Sequence, residues 1–168
     1  MAEQNHVLRC QCGSVECTVE GPLIGTAVCY CDDCQAGAKK IEALGDGPPV
    51  ADPDGGTALS LARLDKFAVT KGKDLLVAHK LKAESPTNRY ATTCCNSGMY
   101  IGFDKGPFWV SMISNRFVGA RPKPDMRIQT RFRESSLPYP DNAPVYKSFP
   151  KSFMFKLIGE WIKMKFGR

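Results

Sequence analysis

A mainly β fold with a minor helical part is what this sequence predicts, and three observations predict it. Short segments alternating apolar and polar residues recur from residue 7 to about 119, punctuated by Gly, Pro and Asp. Helical periodicity is confined to one stretch after the central cysteines and one at the C-terminus. Seven of the eight cysteines fall in short clusters, a pattern that ties loops together in a chain of 168 residues.

Taken in order, Val15, Cys17 and Val19 point one way while Ser14, Glu16, Thr18 and Glu20 point the other, which is a half-buried strand. Gly13 before it and Gly21-Pro22 after it are turn signals, and a hairpin-like return through "LIGTAVCY" is expected. "QAGAKKIEAL" has helical composition and stops at Gly45, followed by the loop "GDGPPVADPDGG". That loop reads as a connector, or as a wall for a site near the cysteines before it. Further strands are expected over 57–61, 66–70, 74–81, 88–94 and 98–103 and in "GPFWVSMI", with Lys71-Gly72-Lys73 as a hairpin turn. Residues 120–150 carry many prolines and read as an extended arm. In the closing stretch, Met154, Leu157, Ile158, Trp161 and Ile162 follow helical spacing with lysines opposite. The organisation is therefore a β core over 7–119, then a basic proline-rich arm and helix over 120–168 packed on the same domain.

Apolar residues make up 43% and charged residues 24%, so a packed core is expected rather than disorder. No signal peptide or membrane span is evident in the sequence, which makes a reducing cytoplasm the expected compartment. There, clustered cysteines bind metal or do redox chemistry more often than they form disulfides. The net charge of +6 is uneven: residues 106–168 hold 12 Lys/Arg against 4 Asp/Glu. A basic third of this kind is first of all a solvated surface; the prolines that interrupt it and the lack of a nucleic-acid motif speak against a nucleic-acid partner. The C-terminal helix can cap its own core, contact a second copy in a homodimer, or lie on an anionic membrane, in that order of expectation.

Thiolates suit zinc, and short spacings bring ligands together at small entropic cost. Cys10 and Cys12 form one pair, Cys94 and Cys95 another, and Cys29, Cys31 and Cys34 a triple, while Cys17 on an apolar strand face reads as a buried small hydrophobe. Either the two pairs close one site and leave the triple its own metal, or one metal draws on several groups. Cys94 and Cys95, if both lie in a strand, need a kink or bulge to reach one ion. His6 and His79 are assigned no metal role.

The order of these motifs resembles the glutathione-dependent formaldehyde-activating enzyme and centromere protein V family. The resemblance covers about 7–104, through "LRCQCGSVECTVEG", "VCYCDDCQAGA", "FAVTKGKDLL" and "RYATTCCNSGMYIGF". It implies several coiled, mainly antiparallel β-sheets held by zinc, similar to methionine sulfoxide reductase B and a Rab exchange factor. It also implies two zinc ions: a structural one on Cys10, Cys12, Cys94 and Cys95, and one on Cys29, Cys31 and Cys34 with an open position where a thiol such as glutathione approaches. The implied activity is that of a carbon–sulfur lyase on a thiol adduct. This chain has Tyr30 where the family has His, and Thr92 where it has the first cysteine of its late motif. Both departures direct the reading to a divergent branch with its own substrate.

On this reading Cys29, Cys31 and Cys34 are the catalytic centre. Asp32 or Asp33 is a candidate for proton transfer, although aspartates in a tight turn also serve backbone N–H groups. Tyr30 is a candidate donor to a substrate oxygen and equally a packing residue, and Lys39 and Lys40 could meet a substrate carboxylate, although such lysines are more often simply exposed. Two other classes compete: a non-catalytic zinc module that binds a partner through its basic C-terminal region, and a redox protein cycling Cys94-Cys95 or Cys31-Cys34 as a disulfide.

Overall fold

The computed structural model describes residues 4–167. Among these residues the fold is mainly β, with ten strands and two α-helices. β1 (His6–Arg9) and β2 (Glu16–Val19) form an antiparallel hairpin, joined on the far side of β2 by β5 (Phe67–Lys71). The remaining strands build a seven-stranded sheet in the order β10-β3-β4-β9-β8-β7-β6. Its members are β3 (Gly25–Cys29), β4 (Thr57–Arg63), β6 (Leu76–His79), β7 (Thr87–Thr92), β8 (Gly98–Phe103), β9 (Trp109–Ile113) and β10 (Met126–Ile128). All pairings are antiparallel except that of β10 with β3.

Two expected hairpins are replaced by crossings between sheets. β2 and β3 lie in different sheets, so "LIGTAVCY" continues the chain into the larger sheet instead of returning along β2. The turn at Lys71-Gly72-Lys73 likewise carries the chain from β5 in the small sheet to β6 in the large one. Gly72 takes φ +67° there, and a Cβ would stand 2.3 Å from the carbonyl oxygen of Ser14, so glycine is what the close approach admits. Turn residues were read correctly, but a turn signal does not specify which strand the chain pairs with next.

β4 is the spine of the molecule. Residues 57–62 are all buried, with Leu59 and Leu61 on one face and Ala62 on the other. On one side, Leu8, Val15, Cys17 and Val19 of the small sheet pack against Ala62, Val110 and Met112. Cys17 is fully buried there, as its place on the apolar strand face implies, and burial pushes its thiol up to about 12. On the other side, Ala27, Leu59, Leu61 and Ile128 meet the two helices, α1 (Asp32–Glu42) and α2 (Lys151–Phe166).

The proline-rich arm contributes more than a wrapping loop. Met126-Arg127-Ile128 adds a parallel edge strand to β3. It is an isolated triplet within "KPDMRIQT", too short to stand out as a strand in sequence. α2 docks through Phe153 and Leu157, while Phe155, Ile158, Trp161 and Ile162 face outward. Among the described residues no helix is long and apolar enough to cross a membrane.

Phe153 carries much of the docking of α2, and emptying a buried Phe site costs about 3–5 kcal/mol. Phe153→Ala is therefore expected to lower unfolding free energy by about that amount in a denaturant titration. A loss under 1 kcal/mol would show that α2 contributes little to the core.

Candidate metal centres and the adjoining cleft

The chain ends β1 at Arg9 and turns through Cys10-Gln11-Cys12-Gly13 into β2. Gly13 takes φ +79°, and its N–H donates to the Cys10 carbonyl at 3.1 Å. The turn folds so that the Val15 N–H points at Cys10 Sγ, 3.2 Å away. Opposite it, β7 ends at Thr92 and the chain reverses into β8 at Gly98. Cys94 and Cys95 lie in that reversal, not in the strand, with Asn96 at φ +53°. A turn frees adjacent side chains from strict alternation, which is how both reach one point. Neighbouring Gly47 lies so close to Asn96 that a Cβ would stand 2.5 Å from the Asn96 carbonyl oxygen, so the loop after α1 braces this turn.

The four sulfurs of Cys10, Cys12, Cys94 and Cys95 lie within 4.8 Å of one another. Individual separations are 3.6 Å for Cys10–Cys12, 3.3 Å for Cys12–Cys94 and 3.9 Å for Cys94–Cys95. A tetrahedron of sulfurs at Zn–S bond lengths has edges of about 3.8 Å, so the set fits a four-thiolate ion. Hydroxyls surround it: Ser97 Oγ is 3.1 Å and Thr92 Oγ1 3.3 Å from Cys95 Sγ, and Ser14 Oγ is 3.3 Å from Cys12 Sγ. Burial raises the Cys95 thiol, but hydrogen bonds from Ser97 and Thr92 prevail and bring it down to about 5. Thr92, which stands at the family's cysteine position, thus supports the sulfur of Cys95 and braces the turn by accepting the Ser97 N–H at 3.1 Å.

The second group forms where β3 ends and α1 begins. α1 starts at Asp32, inside the cysteine motif and three residues before the expected helical stretch. Cys31 is its N-cap, and its sulfur accepts the Cys34 N–H at 3.3 Å, as capping side chains do. Helical spacing then sets Cys34 beside Cys31, and β3 delivers Cys29, so that all three sulfurs lie within 4.8 Å. The Cys31 thiol is held well below its ordinary value by hydrogen bonding from Cys29 and Cys34, while those two partners are pushed up. Among the described residues no fourth His, Cys, Asp or Glu completes this group.

A cleft of about 310 Å³ opens beside the triple. Leu59, Leu61, Ile101, Trp109, Phe149 and Phe153 give it apolar walls, and its charged lining residues are Asp33 and Arg89. A second cleft, about 410 Å³, lies between the 52–54 loop and the arm. Of its charged walls, Arg121 pairs with Asp52 at 2.6 Å and Arg127 with Asp54 at 3.3 Å and Asp141 at 2.9 Å, which leaves Lys123, and no cysteine lines it.

Three sets of candidate residues in and after the motif take different positions. Tyr30 does not reach the cleft: adjacent residues of an extended chain face opposite ways, so Cys29 and Cys31 face the cleft while Tyr30 faces behind it. Tyr30 is fully buried, donates to Asp54 Oδ2 at 2.6 Å and accepts from Arg127. Burial, then Asp54, pushes its hydroxyl above the ordinary range, so it stays a donor. Asp32 and Asp33 are both exposed in the first helical turn, where negative charge complements the helix dipole, and of the two only Asp33 lines the cleft. Lys40 is tied to the Lys80 carbonyl at 2.6 Å, and neither Lys39 nor Lys40 lines the cleft. The residue that sequence reasoning passed over is Arg89. It sits between Asn88 and Tyr90 in β7, where a charge inside a strand was the one available signal.

Fold and site together define a class: a mainly β chain with two cysteine groups that could each hold a metal ion, one closed by four thiols and one with three. The chain belongs to a family of unknown function, DUF6151, whose model matches residues 3–165. No curated protein matches. A solved structure of a Rhodobacter sphaeroides protein, from a structural genomics programme, is similar with a TM-score of 0.49 and 18% identity, covering 71% of this chain and 92% of that one.

Both groups fit zinc by donor type and spacing, which leads to a content of two ions per chain by elemental analysis. Cys12→Ser is expected to lose one ion and most of the folding stability, because it opens a site joining two distant turns. Cys31→Ser is expected to lose the other ion at small cost to the fold. Protons compete for the thiolates, so both ions are expected to leave as pH falls, followed with a chromogenic chelator.

Proposed function

We propose that this chain is a zinc-dependent carbon–sulfur lyase-type enzyme acting on a thiol adduct, a distant relative of the glutathione-dependent formaldehyde-activating enzyme and centromere protein V family. The observation that carries the reading is the grouping of Cys29, Cys31 and Cys34, without a fourth ligand among the described residues, at the wall of an apolar cleft. Four thiols close a structural site, whereas three leave a position for a ligand. Cys29, Cys31 and Cys34 would hold a zinc ion, which would supply the positive charge that favours the thiolate form of an incoming thiol.

The chain's own residues do the remaining work. The apolar walls exclude water, which would compete with sulfur for an electrophilic carbon. Addition of a thiol to a carbonyl forms one C–S bond, breaks the C=O π bond, and moves the S–H proton to the former carbonyl oxygen. Asp33, the carboxylate at the cleft, takes that proton and returns it to the oxygen; the reverse sequence releases thiol and carbonyl. Neither of the two clefts is lined by Cys10, Cys12, Cys94 or Cys95, which suits that group to the structural role.

A second reading, a non-catalytic zinc module that binds a partner through the basic C-terminal region, draws on the outward face of α2. There Phe155 is 72% and Ile158 52% exposed, a surface suited to a second copy of the chain.

Cobalt substitution separates these readings. In the cobalt-loaded protein, added thiol is expected to alter the visible absorption of the triple-cysteine site only. Cys31→Ser is expected to abolish the change and at least 100-fold of any adduct turnover, roughly the scale for loss of a positioned catalytic group. An unchanged spectrum with thiol, together with loss of self-association on truncating α2, would favour the module.

A further inference from the structure

Arg89 is buried to 6% exposure at the centre of β7, yet among the described residues no carboxylate pairs with it. The other deeply buried arginine, Arg127, has Asp54 at 3.3 Å and Asp141 at 2.9 Å. A buried charge without a counter-charge is expensive, and when one persists its partner is commonly a ligand. Arg89 Nη2 donates to the Asp33 backbone carbonyl at 3.0 Å, which ties it to the first turn of α1 between Cys31 and Cys34. Its Nη1 is buried and makes no hydrogen bond. A void of about 20 Å³ that Arg89 lines together with Thr57 has room for one water, which would satisfy an N–H but supply no charge.

The surroundings show that the guanidinium is held in place. It crosses α1 at Gly37, where a Cβ would stand 2.1 Å from Arg89 Nε. Glycine within a helix costs about 1 kcal/mol relative to alanine, and at Gly37 it opens the passage for this side chain. The cleft in front has Arg89 as its one cation and Asp33 as its other charged residue, among largely aromatic and aliphatic walls. Glutathione, with two carboxylates, an ammonium group and two amides, would leave most of its polar groups facing Leu59, Leu61, Ile101, Trp109 and Phe149.

Resting on the carbon–sulfur reading of the same site, we propose that Arg89 binds a carboxylate of the substrate, and that the substrate is a compact, apolar-bodied thiol acid adduct with one anionic end, not a glutathione conjugate. Arg89 and the cysteine triple then hold the two ends of one molecule, the carboxylate on the guanidinium and the sulfur toward Cys29, Cys31 and Cys34, with the hydrocarbon between them against the cleft walls.

The test uses three probes on the full zinc-loaded chain by calorimetry: hexanoate, its neutral isostere hexanamide, and 6-mercaptohexanoate. Hexanoate is expected to bind about tenfold or more tightly than hexanamide, the scale of a hydrogen bond to a charged group. Arg89→Gln is expected to erase that preference and Arg89→Lys to keep part of it, with zinc content unchanged. Gly37→Ala, which favours the helix but obstructs the guanidinium, is expected to weaken hexanoate binding while leaving hexanamide alone. Equal binding of hexanoate and hexanamide, or a preference that survives Arg89→Gln, would overturn the proposal. So would loss of zinc from the triple-cysteine site in Arg89→Gln, which would make Arg89 a support for the metal. The carbon–sulfur reading fails separately, if 6-mercaptohexanoate binds no more tightly than hexanoate while the Arg89-dependent preference remains.

Discussion

The extended backbone from Gly25 to Cys31 is the constraint on which both halves of the molecule depend. Alternate side chains must face opposite ways. Ala27 and Cys29 therefore join the helical core and the cleft, while Val28 and Tyr30 pack behind them with Ala58 and Tyr139. One run of chain supplies sulfur to one side and an anchor for the arm to the other. Tyr30, Asp54 and Arg127 form that anchor, and Arg133 adds a cation over the Tyr139 ring at 4.3 Å. The burial of Tyr30 is what lets its neighbours point into the cleft.

The two cysteine groups differ in how the chain assembles them. The group of four joins the β1–β2 turn to the β7–β8 turn, far apart in sequence, and brings hydroxyls of Ser14, Thr92 and Ser97 against its sulfurs. Such an arrangement is closed and suited to holding the fold. The group of three is local, made from a strand end, a helix cap and the first helical turn. Its free side faces a cleft walled by β4, β8, β9 and the start of α2. Local assembly leaves the opposite side available, and the fold uses it for a cavity. Gln35 links this loop to the arm by donating to the carbonyls of Tyr30 at 2.7 Å and Phe132 at 2.9 Å. The arm and its helix thus complete the cleft, with Phe149 and Phe153 among its walls.

What could be read directly followed from short-range physics. Alternation placed Cys17 inside, helical spacing identified the C-terminal helix, and the two close spacings marked thiol groups fit for metal. What could not be read concerns pairing between distant segments. The turns at Gly21-Pro22 and Gly72 carry correct turn chemistry but send the chain to another sheet. Asp32 and Asp33 are exposed neighbours of equal chemistry, and only the orientation of the first helical turn sets Asp33 rather than Asp32 at the cleft.

By itself the sequence determined a mainly β chain with cysteines grouped by short spacing, because alternation and chain entropy are properties of adjacent residues. The tertiary structure alone decided that Cys94 and Cys95 meet Cys10 and Cys12, that Tyr30 turns its back on the cleft, and that Arg89 lies beside the triple. Each of these needs segments that are remote in sequence, and their meeting depends on which strands pair. That choice is made by the burial of whole faces of β4 and its neighbours, a collective property of the fold that no local motif contains.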